Sequence, residues 1–207
     1  MLDPSVYLVM GPDVADPVAL ARKAVAGGVS LIQWRDKTGS TAEQVALVRA
    51  LVAAVPVPVL VNDRADVALI AGAAGVHVGH GDLTPGEARR IVGDEAIVGL
   101  TIHTMAEAEA ALRQPIDYGS VGGVFETHSK VNPNPPIGID GFAAIAAYLK
   151  AERAMKVVAI AGIDAERAAL LRAAGADGVA VMSAITRAAD PAQAARTLAT
   201  VFAEKAA

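Results

Sequence analysis

The sequence predicts an α/β fold in which eight parallel strands close into a single (β/α)8 barrel, and three features support this prediction. Short runs of strand-like composition alternate with amphipathic segments along all 207 residues. Several runs are apolar throughout, as strands buried on both faces of a parallel sheet are. Alternation alone fits a doubly wound sheet or a barrel; the count of eight favours the barrel, and the length is at its lower limit.

The strands are predicted in order from their apolar runs, and each is followed by a segment with apolar residues at helical spacing. The predicted strands are 6–10, 29–34, 58–62, 75–79, 96–101, 118–124, 156–161 and 177–182. The predicted helical segments are 16–28, 40–54, 65–72, 84–93, 104–114, 140–152, 164–176 and 190–205. The first of these has Asp16 as its N-cap and ends at Gly27 or Gly28. We find no linker, so residues 1–207 are predicted to form one domain.

The composition excludes several classes of protein. The chain has no cysteine, which rules out a disulfide scaffold and a cysteine-based zinc site. Its net charge is −4 and its basic residues do not cluster, so we expect no nucleic-acid partner. The first residues lack a signal-peptide pattern and no apolar stretch is long enough to span a membrane. We therefore expect a cytoplasmic protein, with homo-oligomer formation left open.

Active sites of such barrels form where the strands end, so the polar residues after each run are the candidates. Strand 2 ends in QWRDK at 33–37, where alternation puts Gln33, Arg35 and Lys37 on one side. If Trp34 faces the helices, the two cations point into the barrel mouth. They then suit either a phosphate or pyrophosphate, or a structural ion pair with acidic neighbours.

Strands 3 and 4 each end near a carboxylate, Asp63 and Asp82. Two aspartates at adjacent strand ends indicate a Mg²⁺ site, although Asp63 alone also suits a turn or a helix cap. His77 and His80 lack a third ligand for zinc, so we expect His77 to point into the core. His103, after strand 5, is a candidate base or a structural hydrogen-bonding residue.

The connection at 121–138 is the longest in the chain, and it is interpreted as a binding loop or as a variable insertion. It offers two hydroxyls and a cation, at Thr127, Ser129 and Lys130. A glycine after strand 7, Gly162, and a short helix start at Ser183 match the phosphate site of many barrels, or simple helix-start chemistry. No Walker or GxGxxG loop follows the first strand, so nucleotide hydrolysis and dinucleotide binding lack their usual motifs.

Seven motifs in order resemble the thiamine phosphate synthase family and cover nearly the whole chain. They are QWRDK, NDRADVA, GVHVGHGDL, GLTIHT, FETHSK, AIAGI and GADGVAVMSAI. The resemblance implies a (β/α)8 barrel that joins a pyrimidine pyrophosphate to a thiazole phosphate, with Mg²⁺ as the cofactor. These two small molecules are then the expected partners, and thiamine phosphate and pyrophosphate are the expected products.

The resemblance also implies roles for the residues at the matching positions. Pyrophosphate would be held by Gln33, Arg35, Lys37, Asn62 and Lys130. Of these, Arg35, Lys37 and Lys130 are expected to be catalytic, since they would stabilise the leaving group. Mg²⁺ would be held by Asp63 and Asp82, and the pyrimidine would lie near Thr101. The thiazole phosphate would be held by Thr127, Ser129, Gly162 and the backbone of Met182 and Ser183.

The implied mechanism is dissociative: pyrophosphate leaves, and the thiazole nitrogen captures a delocalised pyrimidine cation. Such a step needs charge stabilisation and positioning more than a strong base. The sequence departs from the family pattern at Trp34, His80 and Gly123. Two alternatives stay open: a thiazole tautomerase, whose loop is similar but carries a histidine where this chain has Gly123, and a non-catalytic phosphate-binding protein.

Overall fold

The structure, a computed structural model, describes residues 2–126 and 135–203, and within these ranges the parallel strands close into one barrel. The strands are β1 (Val6–Met10), β2 (Leu31–Trp34), β3 (Val59–Asn62), β4 (Gly75–Val78), β5 (Ile97–Ile102), β6 (Tyr118–Val121), β7 (Lys156–Ile160) and β8 (Gly178–Val181). They lie side by side in chain order, and β1 pairs with β8 in the register Val6 to Val179, so the sheet has no free edge. The predicted (β/α)8 barrel is confirmed.

Helices connect the strands and cover the outside of the barrel. They are α1 (Pro17–Ala26), α2 (Thr41–Ala54), α3 (Ala65–Ala71), α4 (Pro85–Val92), α5 (Met105–Ala111), α6 (Gly138–Glu152), α7 (Ala165–Ala173), α8 (Ser183–Thr186) and α9 (Pro191–Ala203). The four-residue α8 is the short helix start expected after strand 8. Within the described ranges, none of the helices combines the length and the apolar character that crossing a bilayer requires.

Local sequence signals explain where several helices begin. The Asp16 side chain accepts a hydrogen bond of 2.9 Å from the backbone of Ala19, and α1 is capped at Gly27, as predicted. Ser40 and Glu43 form a reciprocal capping box at the start of α2, and α4 begins with the same motif. These caps satisfy backbone N–H groups that a helix start leaves unpaired, which fixes where each loop ends.

Strand 6 is shorter than predicted. The apolar run suggested 118–124, but β6 ends at Val121. Gly122 follows it against the ring of His103, and Gly123 has a φ of 71°, which is not a strand conformation. The chain therefore leaves the sheet at the two glycines and turns toward the mouth of the barrel.

The hydrophobic core has two layers. The outer layer, between strands and helices, contains large buried side chains such as Ile32, Trp34 and Phe142. The inner layer fills the barrel with a smaller group of residues: Tyr7, Val9, Leu31, Leu60, Tyr118, Val158 and Ala180. Gly99 leaves room for this layer, because a Cβ on it would lie 2.2 Å from Cζ of Tyr118.

Two aspartates fasten the strands at the amino end of the barrel. Asp117 accepts a hydrogen bond of 2.7 Å from the backbone of Val98, and Arg89 forms an ion pair of 2.7 Å with the same carboxylate. Asp177 accepts a hydrogen bond of 2.8 Å from Val157 in the equivalent place two strands later. Strand order and register are thus supported by polar contacts at the end opposite the predicted site.

Candidate active site

A cavity of about 520 Å³ opens at the carboxyl end of the barrel. Seven residues predicted for the site line it: Gln33, Arg35, Asn62, Thr101, Gly162, Met182 and Ser183. They come from five strands that are distant in sequence, and the closed barrel brings them together. Trp34 packs in the outer core, so alternation turns its two neighbours toward the cavity, as predicted.

The remaining three predicted residues that the structure describes form an ionic cluster at the mouth. The Lys37 ammonium contacts the Asp63 carboxylate directly and lies 3.8 Å from the Asp82 carboxylate. The two carboxyl side chains are largely shielded from solvent, whereas that of Lys37 is half exposed. The sequence left open a phosphate site or an ion pair for Lys37, and in the structure this side chain forms the ion pair.

The pKa of the Asp63 carboxyl lies above its ordinary value. Burial is the main cause, and hydrogen bonding and charge repulsion from Asp82 act in the same direction. The opposing pull of the Lys37 ammonium is not sufficient to cancel them. Two carboxylates that repel each other in a shielded place would gain from a divalent cation between them, so the donor set fits Mg²⁺.

A metal held here would take only two carboxylates from the described part of the chain. No group of three or more acidic or histidine side chains suited to a metal occurs in residues 2–126 and 135–203. Two protein carboxylates completed by oxygens of water and substrate are the usual arrangement for Mg²⁺ with phosphate substrates. The geometry therefore suits a cation that arrives with, or is completed by, a phosphorylated ligand.

The backbone is strained at two points of this site. Within the described ranges, Asp63 and Ala161 are the two non-glycine residues with a positive φ, at 63° and 94°. Gly162 follows with a φ of 66°, and a Cβ there would lie 2.4 Å from the carbonyl oxygen of Glu126. Such strain concentrates where function requires a particular backbone path. Both points belong to strand ends that the sequence assigned to the site.

Asn62 is buried, and its side-chain amide nitrogen has no hydrogen-bond partner within the described residues. A buried donor without a partner costs about 1–3 kcal/mol, which a ligand that accepts this hydrogen bond would recover. The residue lines the cavity one position before Asp63. An anionic oxygen beside the carboxylate pair would satisfy it.

Arg187 is a cavity residue that the sequence analysis missed. It lies at the end of α8, four positions after Ser183, and lines both the main cavity and a side cavity of about 210 Å³. Arg35 lines the same two cavities. Neither guanidinium has a side-chain partner within the described part of the chain. The i, i+4 spacing from the predicted phosphate residue Ser183 is the signal that could have found Arg187.

Hydrogen bonds to protein hydroxyls position His77, whereas His80 and His103 lie near the carboxylate of Glu107. His77 is buried, and its ring nitrogens lie 2.8 Å from the hydroxyls of Tyr118 and Thr101, so the expectation of a core position is confirmed. His80 is exposed and lies 4.0 Å from Glu107. His103 lines the cavity, with its Nδ1 3.4 Å from the Glu107 carboxylate.

Three predicted residues, Thr127, Ser129 and Lys130, lie outside the described residues, as does His128. Their roles at the thiazole phosphate and the pyrophosphate stay predictions. The described chain reaches Glu126 on one side of them, and this residue lines the cavity.

The comparisons with known proteins agree with this geometry. The family model described as thiamine monophosphate synthase matches residues 6–185. A thiamine-phosphate synthase of Agrobacterium fabrum is 52% identical over 186 residues, which are 88% of this chain and 84% of the relative. One from Anaeromyxobacter dehalogenans is 44% identical over 199 residues, covering 95% and 86% of the two chains.

Solved structures give the same result. The thiamine phosphate pyrophosphorylase of Pyrococcus furiosus superposes with a TM-score of 0.87 at 30% identity, covering 98% of this chain and 96% of that one. Orotidine 5'-phosphate decarboxylase of Pyrococcus horikoshii, with a TM-score of 0.72 at 17% identity, shares the barrel alone. On the family match and the identity to its relatives, the chain belongs to the thiamine monophosphate synthase family.

Proposed function

We propose that the chain is a thiamine-phosphate synthase, a transferase that joins hydroxymethylpyrimidine pyrophosphate to thiazole phosphate and releases pyrophosphate. The observation that carries the proposal is the carboxylate pair Asp63 and Asp82 beside a cavity lined by unpaired cationic and amide groups. This arrangement has places for two phosphorylated ligands and one divalent cation. The chain that carries this arrangement belongs to the thiamine monophosphate synthase family, and its relatives are named thiamine-phosphate synthases.

The pyrophosphate is assigned to the rim between strands 2 and 4. Arg35 has no side-chain partner among the described residues, and the amide of Asn62 is buried and unsatisfied. Lys37 contacts Asp63 and can exchange that contact for one with a phosphate oxygen. Binding of Mg²⁺ would supply further charge neutralisation to the pyrophosphate as it leaves.

The thiazole phosphate is assigned to the rim after strands 7 and 8, at Gly162, Met182 and Ser183. Gly162 is required there because any side chain would collide with the carbonyl of Glu126. Two phosphate sites on one cavity, one after strands 2 to 4 and one after strands 7 and 8, would hold the reacting carbon and nitrogen near each other above the barrel interior. Positioning of this kind suits a reaction in which no protein group forms a covalent bond to the substrate.

The chain residues act by charge and position in the proposed reaction. Arg35, Lys37 and the predicted Lys130 stabilise the negative charge that accumulates on the departing pyrophosphate. The pyrimidine cation that forms is held in the cavity until the thiazole nitrogen captures it. Water must be excluded during this interval, and the cavity, closed below by the inner core layer, limits its access.

The alternative of a thiazole tautomerase is disfavoured at Gly123. This is the position at which the tautomerases carry the proton-transfer histidine, according to the resemblance. Here it holds a glycine with a φ of 71°, a conformation that favours glycine over histidine. The cytoplasmic location and the possible homo-oligomer stay predictions from the sequence, and we propose residues 1–207 as a single domain.

The proposal is tested by incubating purified protein with both substrates and Mg²⁺ and measuring thiamine phosphate as fluorescent thiochrome after oxidation. Product should depend on Mg²⁺, and Asp82→Ala and Arg35→Ala should each lower kcat/KM at least about 100-fold. Asp94→Ala and Arg90→Ala are matched controls, because both residues are exposed and lie near the end of α4, before the start of β5 and not after its carboxyl end. Folded protein that yields no product would refute the synthase, and isomerisation of the thiazole phosphate alone would support the tautomerase.

A further inference from the structure

A chain of five hydrogen-bonded side chains crosses the barrel interior beneath the cavity. The Gln33 amide nitrogen donates to the Tyr7 hydroxyl, and the Tyr7 and Tyr118 hydroxyls lie 2.9 Å apart. The Tyr118 hydroxyl lies 2.8 Å from Nδ1 of His77, and Nε2 of His77 lies 2.8 Å from the Thr101 hydroxyl. Four of the five residues are buried, and Thr101 is partly exposed to the cavity.

The two tyrosines in the middle of the chain remain protonated. Burial raises the pKa of Tyr7 and that of Tyr118 well above the ordinary value of a phenol. Each hydroxyl therefore contributes one proton and can donate one hydrogen bond. Their rings meet edge to face with centroids 5.9 Å apart, which holds the two hydroxyls in place.

The direction of the chain follows from its first member. An amide nitrogen only donates, so the Tyr7 oxygen accepts from Gln33. The Tyr7 proton is then best directed to Tyr118, since a buried donor directed elsewhere would lose its partner. By the same reasoning Tyr118 donates to Nδ1 of His77. A neutral His77 then carries its proton on Nε2 and donates it to Thr101.

Both ends of the chain then present a defined polarity to the cavity. The Thr101 oxygen accepts from His77, so its own proton is available for an acceptor in the cavity. The Gln33 amide donates from its nitrogen, so its carbonyl oxygen is available for a donor. One wall of the cavity thus offers an acceptor, and the wall across the barrel offers a donor.

The resemblance already implies that the pyrimidine lies near Thr101. We propose that Tyr7, Tyr118 and His77 fix the hydrogen-bonding polarity of the two ends of the chain, so that the ring binds with its amino group toward the Gln33 carbonyl and a ring nitrogen toward the Thr101 hydroxyl. Tyr7, Tyr118 and His77 are positioning residues, because they act through the two ends. An aminopyrimidine carries both a donor and an acceptor on its ring, and it matches this polarity when its amino group faces Gln33 and a ring nitrogen faces Thr101. The inference rests on the proposed synthase activity for the identity of the ring.

The first test measures the His77 tautomer directly in the unmodified protein. Two-bond ¹H–¹⁵N correlation spectra of protein labelled at its four histidines distinguish the two neutral forms, and His77→Gln identifies the resonance. We expect a neutral ring protonated on Nε2. A ring protonated on Nδ1, or a charged imidazolium, at pH 7.5 would reverse the direction of the chain and overturn the inference. This measurement requires no turnover.

The second test is a double-mutant cycle read as KM for each substrate. Tyr118→Phe should raise KM for the pyrimidine pyrophosphate about tenfold and leave KM for the thiazole phosphate within about twofold. In a Thr101→Val background, Tyr118→Phe should not raise this KM further, because the Thr101 hydroxyl through which Tyr118 acts is already removed. Thr101→Ser should restore the wild-type KM. Tyr148→Phe, on α6, is the control tyrosine and should change neither KM.

Tyr118→Phe could raise KM for the pyrimidine pyrophosphate equally in the wild-type and Thr101→Val backgrounds, or it could raise KM equally for both substrates. Either result would show a merely structural role and overturn the inference. Should Tyr118→Phe not fold, Tyr7→Phe replaces it in the same cycle. Absence of product from the wild type would refute the synthase proposal instead. The tautomer measurement would then still decide the direction of the chain, so the two failures are distinguishable.

Discussion

Asp63 combines backbone strain, burial and a carboxylate neighbour, and this predicts a cost in stability. Because its pKa is raised in the folded protein, the folded state binds more protons than the unfolded state between the ordinary and the raised pKa. The free energy of unfolding therefore falls as pH rises through this interval. Asp63→Asn removes this pH-dependent loss of stability, because an amide does not ionise. Asparagine tolerates the positive φ of 63° as well as aspartate does.

We expect Asp63→Asn to melt at a higher temperature than the wild type at pH 8 without Mg²⁺. The difference should shrink as the pH is lowered toward the ordinary pKa of an aspartate, because the wild-type carboxyl then becomes protonated as well. Activity at pH 8 should fall at least about 100-fold, since a neutral amide is a poor Mg²⁺ ligand. Thermal melts over this pH range and the thiochrome assay measure these effects, and a variant less stable than wild type at pH 8 would contradict the prediction.

Arg187 is expected to contribute to binding of the thiazole phosphate. It lines the cavity near Ser183 and has no side-chain partner among the described residues. Arg187→Ala should raise KM for the thiazole phosphate about tenfold, because a charge-assisted hydrogen bond is lost, and kcat should change little. The exposed Arg90→Ala serves as the control, and Arg187→Lys should recover part of the affinity. Unchanged KM values in Arg187→Ala would remove Arg187 from the site.

At the scale of single residues, the sequence predicted which side chains line the cavity better than how they are connected. Gln33 and Arg35 were found because strand ends of a barrel converge, and Asn62 was found through the resemblance to a known family. The hydrogen bond between Tyr118 and His77 was not predicted, since these residues are 41 positions apart and their meeting depends on strand register. Arg187 was missed because the sequence analysis treated α8 as a source of backbone groups alone.

At the scale of elements, the packing of β5 against β6 depends on one missing side chain. A Cβ on Gly99 would collide with the Tyr118 ring, which cannot retreat because it is fully buried. Gly99→Ala should lower the free energy of unfolding by about 2 kcal/mol, as overpacked cores do, and should lower activity through the displaced Tyr118.

The matched comparison is Gly86→Ala in α4, where a Cβ would have open space. This change should raise the free energy of unfolding by about 0.5 kcal/mol, since alanine is the better helix former. Urea unfolding of both variants measures the two effects. Equal stability of the two variants would show that the inner core layer yields to the extra methyl group.

Helices and strands were predictable because their signals are local. The capping box of Ser40 and Glu43 and the stop at Gly27 are legible in the sequence and are present in the structure. The end of β6 at Val121 was not predictable in this way, because the residues that follow it through Val124 are also small or apolar. The glycines that allow the chain to leave the sheet there also fit a strand pattern.

At the scale of the whole molecule, closure of the barrel predicts cooperative unfolding. β1 and β8 pair with each other, so neither half of the chain completes the sheet alone. The fluorescence of the single tryptophan, Trp34, reports on one buried position in the outer core layer, whereas far-UV circular dichroism reports on all helices. We expect tryptophan fluorescence and far-UV circular dichroism to give the same midpoint of unfolding in urea. Separate midpoints would show that the halves unfold independently.

Closure itself was predicted from the count of eight strands, but the register was not. Register depends on which glycine faces which ring, as with Gly99 and Tyr118, and on contacts such as Asp117 with Val98. These contacts join residues from different parts of the sequence. A pattern of apolar spacing contains no information about them.

The two ends of the barrel place different demands on protein engineering. Arg89, Asp117 and Asp177 secure the strands at the amino end, while the proposed ligand-binding residues lie at the carboxyl end. Libraries that diversify the carboxyl-end loops can therefore change substrate preference without loosening the scaffold. Libraries at the amino end can improve heat tolerance without altering substrate preference, and the two sets of gains can be combined in one chain.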